Sequence, residues 1–296
     1  MRWREAVRRW SMPAAMLFGE SAGARNVCFH VVSPQSRGLF HAAISQSGDC
    51  TAWHWPTLAE AEAEASTFVD SVGCGEASDV LACLRDKPAG ELMVDAPLVD
   101  AVLDPAPGGS RYSGGHPAWD FGPIVDGDFV PMVPREAFAS GEVARVPYLM
   151  GSNTEEGALA HLSAPPVSRY ACAVQDFAER ATTAGLDVYA YNFDMGYAIP
   201  GLESLGKAHG AELSYVFKSL APDAWPPGAE AVADLMQGYW ARFAATGDPN
   251  GDGAPDWPTF SPDRGNRLQL NSQPTVIENF RSERCAVWRD VFANAQ

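Results

Sequence analysis

An α/β fold, with a mostly parallel sheet and helices on both faces, is what this sequence predicts, and three observations carry the prediction. Short unbroken apolar runs of strand length recur along the chain. Stretches with helical spacing of apolar residues alternate with them, and neither an internal repeat nor a dividing linker interrupts the alternation. An unbroken apolar run is the mark of a strand covered on both sides, as in a parallel sheet; a half-exposed strand alternates polar with apolar residues instead. Residues 1–296 are accordingly read as a single domain.

The elements follow in order. Trp3, Val7 and Trp10 fall at helical spacing, with arginines on the other faces, and this first helix ends near Pro13. Ala14 to Phe18 reads as a strand covered on both faces, Gly19 to Gly23 as a turn, and the residues after it as a helix. His41 to Gln46 is a second strand, and Leu58 to Val72, rich in alanine and glutamate, is a helix. Pro97 to Pro117 is loop-like, and Val125-Asp126-Gly127-Asp128 predicts a hairpin turn between two extended pieces within 121–133. Val146 to Met150 is a strand ending at Gly151, Val174 to Ala184 a helix, Val188 to Phe193 a strand, and Ala229 to Thr246 the last long helix.

Composition narrows the function. Twenty-one Lys and Arg against 37 Asp and Glu leave a net charge of −16, which repels a phosphate backbone, so nucleic acid is not the expected partner. No run reaches the roughly 20 apolar residues of a membrane span. Met1 to Trp10 carries four arginines, but the apolar stretch after it is too short for a signal peptide. Six cysteines at 28, 50, 74, 83, 172 and 285 allow three bridges or free thiols alike; they form no C-x-x-C, and the six histidines are scattered, so no metal site is expected. Asp248-Pro249-Asn250-Gly251-Asp252-Gly253 imitates a calcium loop, but Thr259 stands where a bidentate glutamate is needed. Nothing in the sequence sets the oligomeric state.

Gly19-Glu20-Ser21-Ala22-Gly23 fits G-x-S-x-G between a strand and a helix, the place of the nucleophile elbow in an α/β-hydrolase sheet. Glycines on either side let the chain turn sharply so that the Ser21 hydroxyl projects above the sheet. The helix that follows offers its N-terminal amides, with the N–H of Ala22 as an oxyanion donor. A serine needs a base oriented by a carboxylate, in the chain order Ser, Asp or Glu, His for this fold. Glu155 and Glu156 stand just after the strand that ends at Met150, and His209 comes after the strand that ends at Phe193.

Several stretches together resemble the type-B carboxylesterase and cholinesterase family. They are Leu17-Phe18-Gly19-Glu20-Ser21-Ala22-Gly23-Ala24, Ser33 to Ile44 with Gln46-Ser47-Gly48, Phe121 to Asp128, Asn153 to Gly157, His209-Gly210-x-Glu212 and Thr246 to Gly251, in the family's order and over nearly the whole chain. The resemblance implies an ester hydrolase acting on a small-molecule ester through an acyl-enzyme, without a cofactor. Ser21 is then the nucleophile, Glu156 the acid in preference to Glu155, and His209 the base, while His30 and His41 are structural. It also implies disulfides Cys74–Cys83 and Cys172–Cys285, which leaves Cys28 and Cys50 by elimination, and secretion or export to a periplasm.

Two departures shape further expectations. The family's glycine-rich oxyanion loop lies upstream of the elbow, and this chain begins 20 residues before Ser21. A truncated member is therefore expected, lacking the N-terminal strands, with Ala22 as its one oxyanion donor, weakly stable and nearly inactive when expressed alone. The 53 residues from Glu156 to His209 are also fewer than in the family, so a helical stretch after His161 is expected to be missing. The competing reading is a non-catalytic relative or degraded fragment that keeps the fold; intact Ser21, Glu156 and His209 argue against it, and the missing oxyanion loop argues for it.

Overall fold

Among the described residues six strands form one sheet in the order β1 to β6, matching their order along the chain. The computed structural model describes residues 15–52, 54–92, 122–156, 166–198 and 206–293. The helix expected over Trp3 to Trp10, the loop from Pro97 to Pro117 and the stretch after His161 lie outside these residues. Strands β1 (Met16–Glu20), β2 (Ala42–Gln46), β3 (Tyr148–Asn153), β4 (Val188–Phe193) and β5 (Arg267–Leu270) are parallel; β6 (Thr275–Ile277) is antiparallel to β5. The expected α/β-hydrolase architecture is thus observed.

Backbone contacts divide the chain into two compact units, residues 1–52 with 134–293, and residues 53–133 with 294–296. The first holds the sheet. Its helices are α1 (Ala22–Val32), then α4 (Pro134–Ser140), α5 (Pro166–Thr183), α6 (Leu213–Val216), α7 (Ala229–Thr246) and α8 (Ser282–Ala293); α2 and α3 belong to the other unit. Every residue of β2, β3 and β4 is buried, as in a sheet covered on both faces, and the polar residues among them, Ser45, Gln46, Ser152, Asn153 and Asn192, stand toward the strands' C-terminal ends. On one face Ile44, Leu149, Tyr191 and Leu268 pack with Met236, Trp240 and Phe243 of α7. On the other, Tyr148 meets Phe177 of α5 edge to face, and Phe177 meets Phe138 of α4 in the same way.

The second unit contains α2 (Leu58–Ser71) and α3 (Val80–Asp86). Thr57 and Glu60 close a reciprocal capping box at the start of α2, and Asp79 caps α3 through the N–H of Ala82. Phe68, Val72 and Cys74 form its small buried cluster.

Three expectations are corrected here. The hairpin within 121–133 does not form: Asp126 Oδ1 accepts from the N–H groups of Asp128 and Val130, an Asx turn, and Val125 pairs with Thr57 in an isolated parallel bridge. Strand β1 is not covered on both faces, for it is the outer strand among the described residues and Phe18 is 47% exposed. Helix α5 starts at Pro166, eight residues ahead of the expected Val174.

All six cysteines are paired, as Cys28–Cys50, Cys74–Cys83 and Cys172–Cys285. The alternative of free thiols at 28 and 50 is thereby set aside, and α1 is tied to the segment after β2. Cys172–Cys285 joins α5 to α8 across 113 residues; in the chain-entropy model a loop of that order stabilises by about 4–5 kcal/mol. Three disulfides are compatible with an oxidising compartment. No helix among the described residues is long and apolar enough to cross a membrane.

Candidate active site

Ser21 stands between the end of β1 and the first residue of α1, with φ 56° and ψ −115°. A left-handed φ costs a non-glycine residue about 1–3 kcal/mol and persists where surrounding structure enforces it. Here the N–H of Ser21 donates to the carbonyl of Gln46 at 2.9 Å, and its own carbonyl accepts from Arg25 N at 3.2 Å. The Ser21 hydroxyl makes no capping bond to the helix it precedes. Ala22 is in the first helical turn, where amides lack intrahelical acceptors, so its N–H remains available to an oxyanion.

The glycines act otherwise than the motif suggests. Ser21 itself carries the positive φ, and neither Gly19 nor Gly23 does. Gly19 is required by close approach: a Cβ there would lie 2.4 Å from the carbonyl carbon of Gly23, whereas a Cβ at Gly23 meets nothing within 4 Å. Gly19→Ala is therefore expected to destabilise the protein by at least about 2–3 kcal/mol through overpacking against backbone. Gly23→Ala, at a helical position, is expected to be neutral or stabilising by up to about 1 kcal/mol. Equilibrium denaturation of the two variants checks the contrast; equal losses would contradict it.

Glu156 is carried on the turn after β3, and its side chain is fully buried. Oε1 accepts from the Ser47 hydroxyl and the N–H of Asn153, both at 2.6 Å, and Oε2 lies 2.6 Å from His209 Nδ1. Ser47 is held in a left-handed conformation, φ 54°, by the bond from its N–H to the carbonyl of Gly151. Glu155 is exposed and serves the backbone instead: Oε2 accepts from the N–H of Lys207 at 3.0 Å. The two adjacent acids thus hold the same histidine-bearing segment, one by its backbone and one by the imidazole.

His209 Nε2 lies 3.1 Å from Glu20 Oε1, in the residue before Ser21, and the ring packs against Tyr170 of α5 with centroids 5.0 Å apart. The structure brings Glu156 and His209 together and sets the imidazole against the elbow through Glu20. No hydrogen bond joins the Ser21 hydroxyl to His209 in this state. Burial pulls the imidazole down, but the hydrogen bond and charge of Glu156, with the charges of Glu20 and Glu212, outweigh it and leave His209 above its usual value. Burial raises Glu20, opposed by His209 and reinforced by Glu156.

Two other histidines are held elsewhere, His30 beside the Ser36 hydroxyl and His41 between the carbonyls of Ala15 and Ala244. No cluster of three metal-ligating side chains occurs among the described residues. Ser47, Asn153 and Gln46, which support the acids, carry no site motif in the sequence. Their signal is a polar pair at the end of a buried apolar strand.

The family model for the carboxylesterase family matches residues 14–166 and 167–288. The chain belongs to the carboxylesterase family. It is 28% identical, over 343 aligned residues, to an acetylcholinesterase of Bungarus fasciatus, covering 93% of this chain. It spans about half, 55%, of that relative's length. The stretches matched contain the elbow, the Glu155-Glu156 pair and His209.

Proposed function

We propose that this chain carries the reacting residues of a serine hydrolase that cleaves carboxylic esters through an acyl-enzyme. The observation that supports it most is the buried Glu156 carboxylate on His209 Nδ1, with that imidazole set against the elbow that presents Ser21. Nδ1 donates to Glu156, which leaves Nε2 as the proton acceptor. As the Ser21 Oγ attacks the ester carbonyl carbon, its proton passes to Nε2, and the carbonyl oxygen becomes an oxyanion facing the N–H of Ala22. Collapse breaks the bond to the alcohol, which leaves with the proton from Nε2. Water then attacks the acyl-serine, giving its proton to Nε2; the acid departs and Ser21 recovers its proton. No step calls for a metal or cofactor. Similarity to an esterase and three disulfides support an ester substrate and export to an oxidising compartment.

Two readouts test this reading in the full-length protein. Rapid mixing with a p-nitrophenyl ester is expected to release about one equivalent of p-nitrophenolate per site in a burst, as acyl-enzyme accumulates. The base must be neutral, so kcat/KM is expected to rise with pH through a value above the roughly 6.5 of an ordinary histidine, since His209 is held above it. Hydrolysis without a burst, and with no ionisation in the histidine range, would count against the acyl-enzyme.

A further inference from the structure

Glu212 takes no part in the proton transfers above, yet its side chain is fully buried. Its surroundings are oriented by a group of fixed polarity. The indole N–H of Trp240 can only donate, and it donates to Gln46 Oε1 at 3.1 Å. The Gln46 amide is thereby turned so that its NH2 donates to Glu212 Oε1, at 3.0 Å. On the other side the Asn153 side-chain NH2 donates to Glu212 Oε2 at 2.5 Å and to the carbonyl of Ala208 at 2.6 Å. Ala208 is the residue before His209. Both oxygens of Glu212 face N–H donors, an arrangement that a carboxyl group satisfies and an amide, with a donor in place of one oxygen, does not.

The same two strand ends serve both acids. Gln46 donates to Glu212 while the next residue, Ser47, donates to Glu156. Asn153 gives its side chain to Glu212 and its backbone N–H to Glu156. A shift of Glu212 therefore disturbs the seat of the imidazole and the seat of its acid together.

We propose that Glu212 is a positioning residue for His209: it locks the amides of Gln46 and Asn153, and Asn153 locks the Ala208 carbonyl, so that the imidazole keeps its place on Glu156. The inference rests on the Ser21, Glu156 and His209 reading and deepens it. Charge contributes as well. The carboxylates that raise His209 are Glu156, Glu20 and Glu212, and Tyr170 faces its ring. Around Glu212 the charged neighbours are Glu156 and Glu20, and its charge adds to the burial that chiefly raises the phenols of Tyr191 and Tyr197. Burial, then the charge of Glu156, push the Glu212 carboxyl up to about 7 against the Asn153 and Gln46 hydrogen bonds.

The test uses Glu212→Gln in the full-length protein, assayed beside His209→Ala. An amide at 212 must turn its NH2 against one of two fixed donors, so kcat is expected to fall about tenfold or more, as for a small misplacement of a reacting group. KM is expected to stay within about twofold, because the lost interaction is not with substrate. The acid limb of kcat/KM should move to lower pH, since one charge that favours the imidazolium is gone, and Glu212→Asp should return it toward the wild-type position. A folded Glu212→Gln protein with wild-type kcat and acid limb overturns the inference. Should that variant not fold, Gln46→Met removes one donor from Glu212 without touching the histidine turn; it is expected to lower kcat, and unchanged kcat in the folded protein overturns the inference equally. Activity retained in His209→Ala sinks the underlying reading, whereas activity lost there with a silent Glu212→Gln sinks this inference alone.

Discussion

Replacing His209 with alanine is expected to lower ester turnover by about 10⁴–10⁶-fold, because nucleophile, base and acid act as a unit and removal of the base costs nearly as much as removal of all three. The change should leave the fold in place. His209 is partly exposed, and Glu156 Oε1 keeps its bonds from Ser47 and Asn153 when the imidazole is gone. One buried carboxylate oxygen then loses its donor, at a cost of about 1–3 kcal/mol. Initial rates with p-nitrophenyl esters, read beside thermal melting, separate the two effects. A folded His209→Ala protein that turns over within about tenfold of wild type would contradict the assignment, since triad removal costs far more.

The adjacent acids give the second large effect. Glu156→Gln is expected to reduce kcat by about 10⁴-fold, through the wrong imidazole tautomer. Ser47 and the N–H of Asn153 both donate into the position of Oε1, so an amide there places its oxygen toward them and its NH2 toward His209 Nδ1. Nδ1 must then accept, the proton moves to Nε2, and Nε2 no longer takes the proton of Ser21. Glu155→Gln keeps the acceptor that holds the N–H of Lys207 and is exposed, so its effect is expected to stay within about twofold, the usual range of a surface change. Kinetics of the two variants side by side check the order of the pair. Equal losses, or a larger loss at Glu155, would reverse it.

The elements most legible in the sequence are those whose apolar residues follow a clear strand or helix spacing. Strand β4 and helix α7 have the bounds expected from their residues, because every side chain of β4 is buried and α7 turns one apolar face to the sheet. Beyond them legibility falls off for physical reasons. Strands β5 and β6 have four and three residues, too short for any periodicity to show. Val125-Asp126-Gly127-Asp128 has the composition of a hairpin turn, and only the carboxylate of Asp126, bonded back to its own backbone, decides against extended flanks. At the site, Ser21, Glu156 and His209 stood out by motif and by resemblance. Gln46, Ser47 and Asn153 did not, because a polar residue at a strand's end looks alike whether it meets solvent or holds a buried acid. The left-handed backbone of Ser21 and Ser47 is likewise invisible in residue type, since serine carries no preference for it.

The central claim is that Ser21 is the nucleophile, and covalent capture tests it most directly. The full-length protein is treated with a fluorophosphonate, digested, and the labelled peptide sequenced by mass spectrometry. The account predicts one adduct, on the serine of Leu17-Phe18-Gly19-Glu20-Ser21-Ala22-Gly23, absent from Ser21→Ala. An adduct on another residue, or labelling and hydrolysis that persist in folded Ser21→Ala, would contradict it.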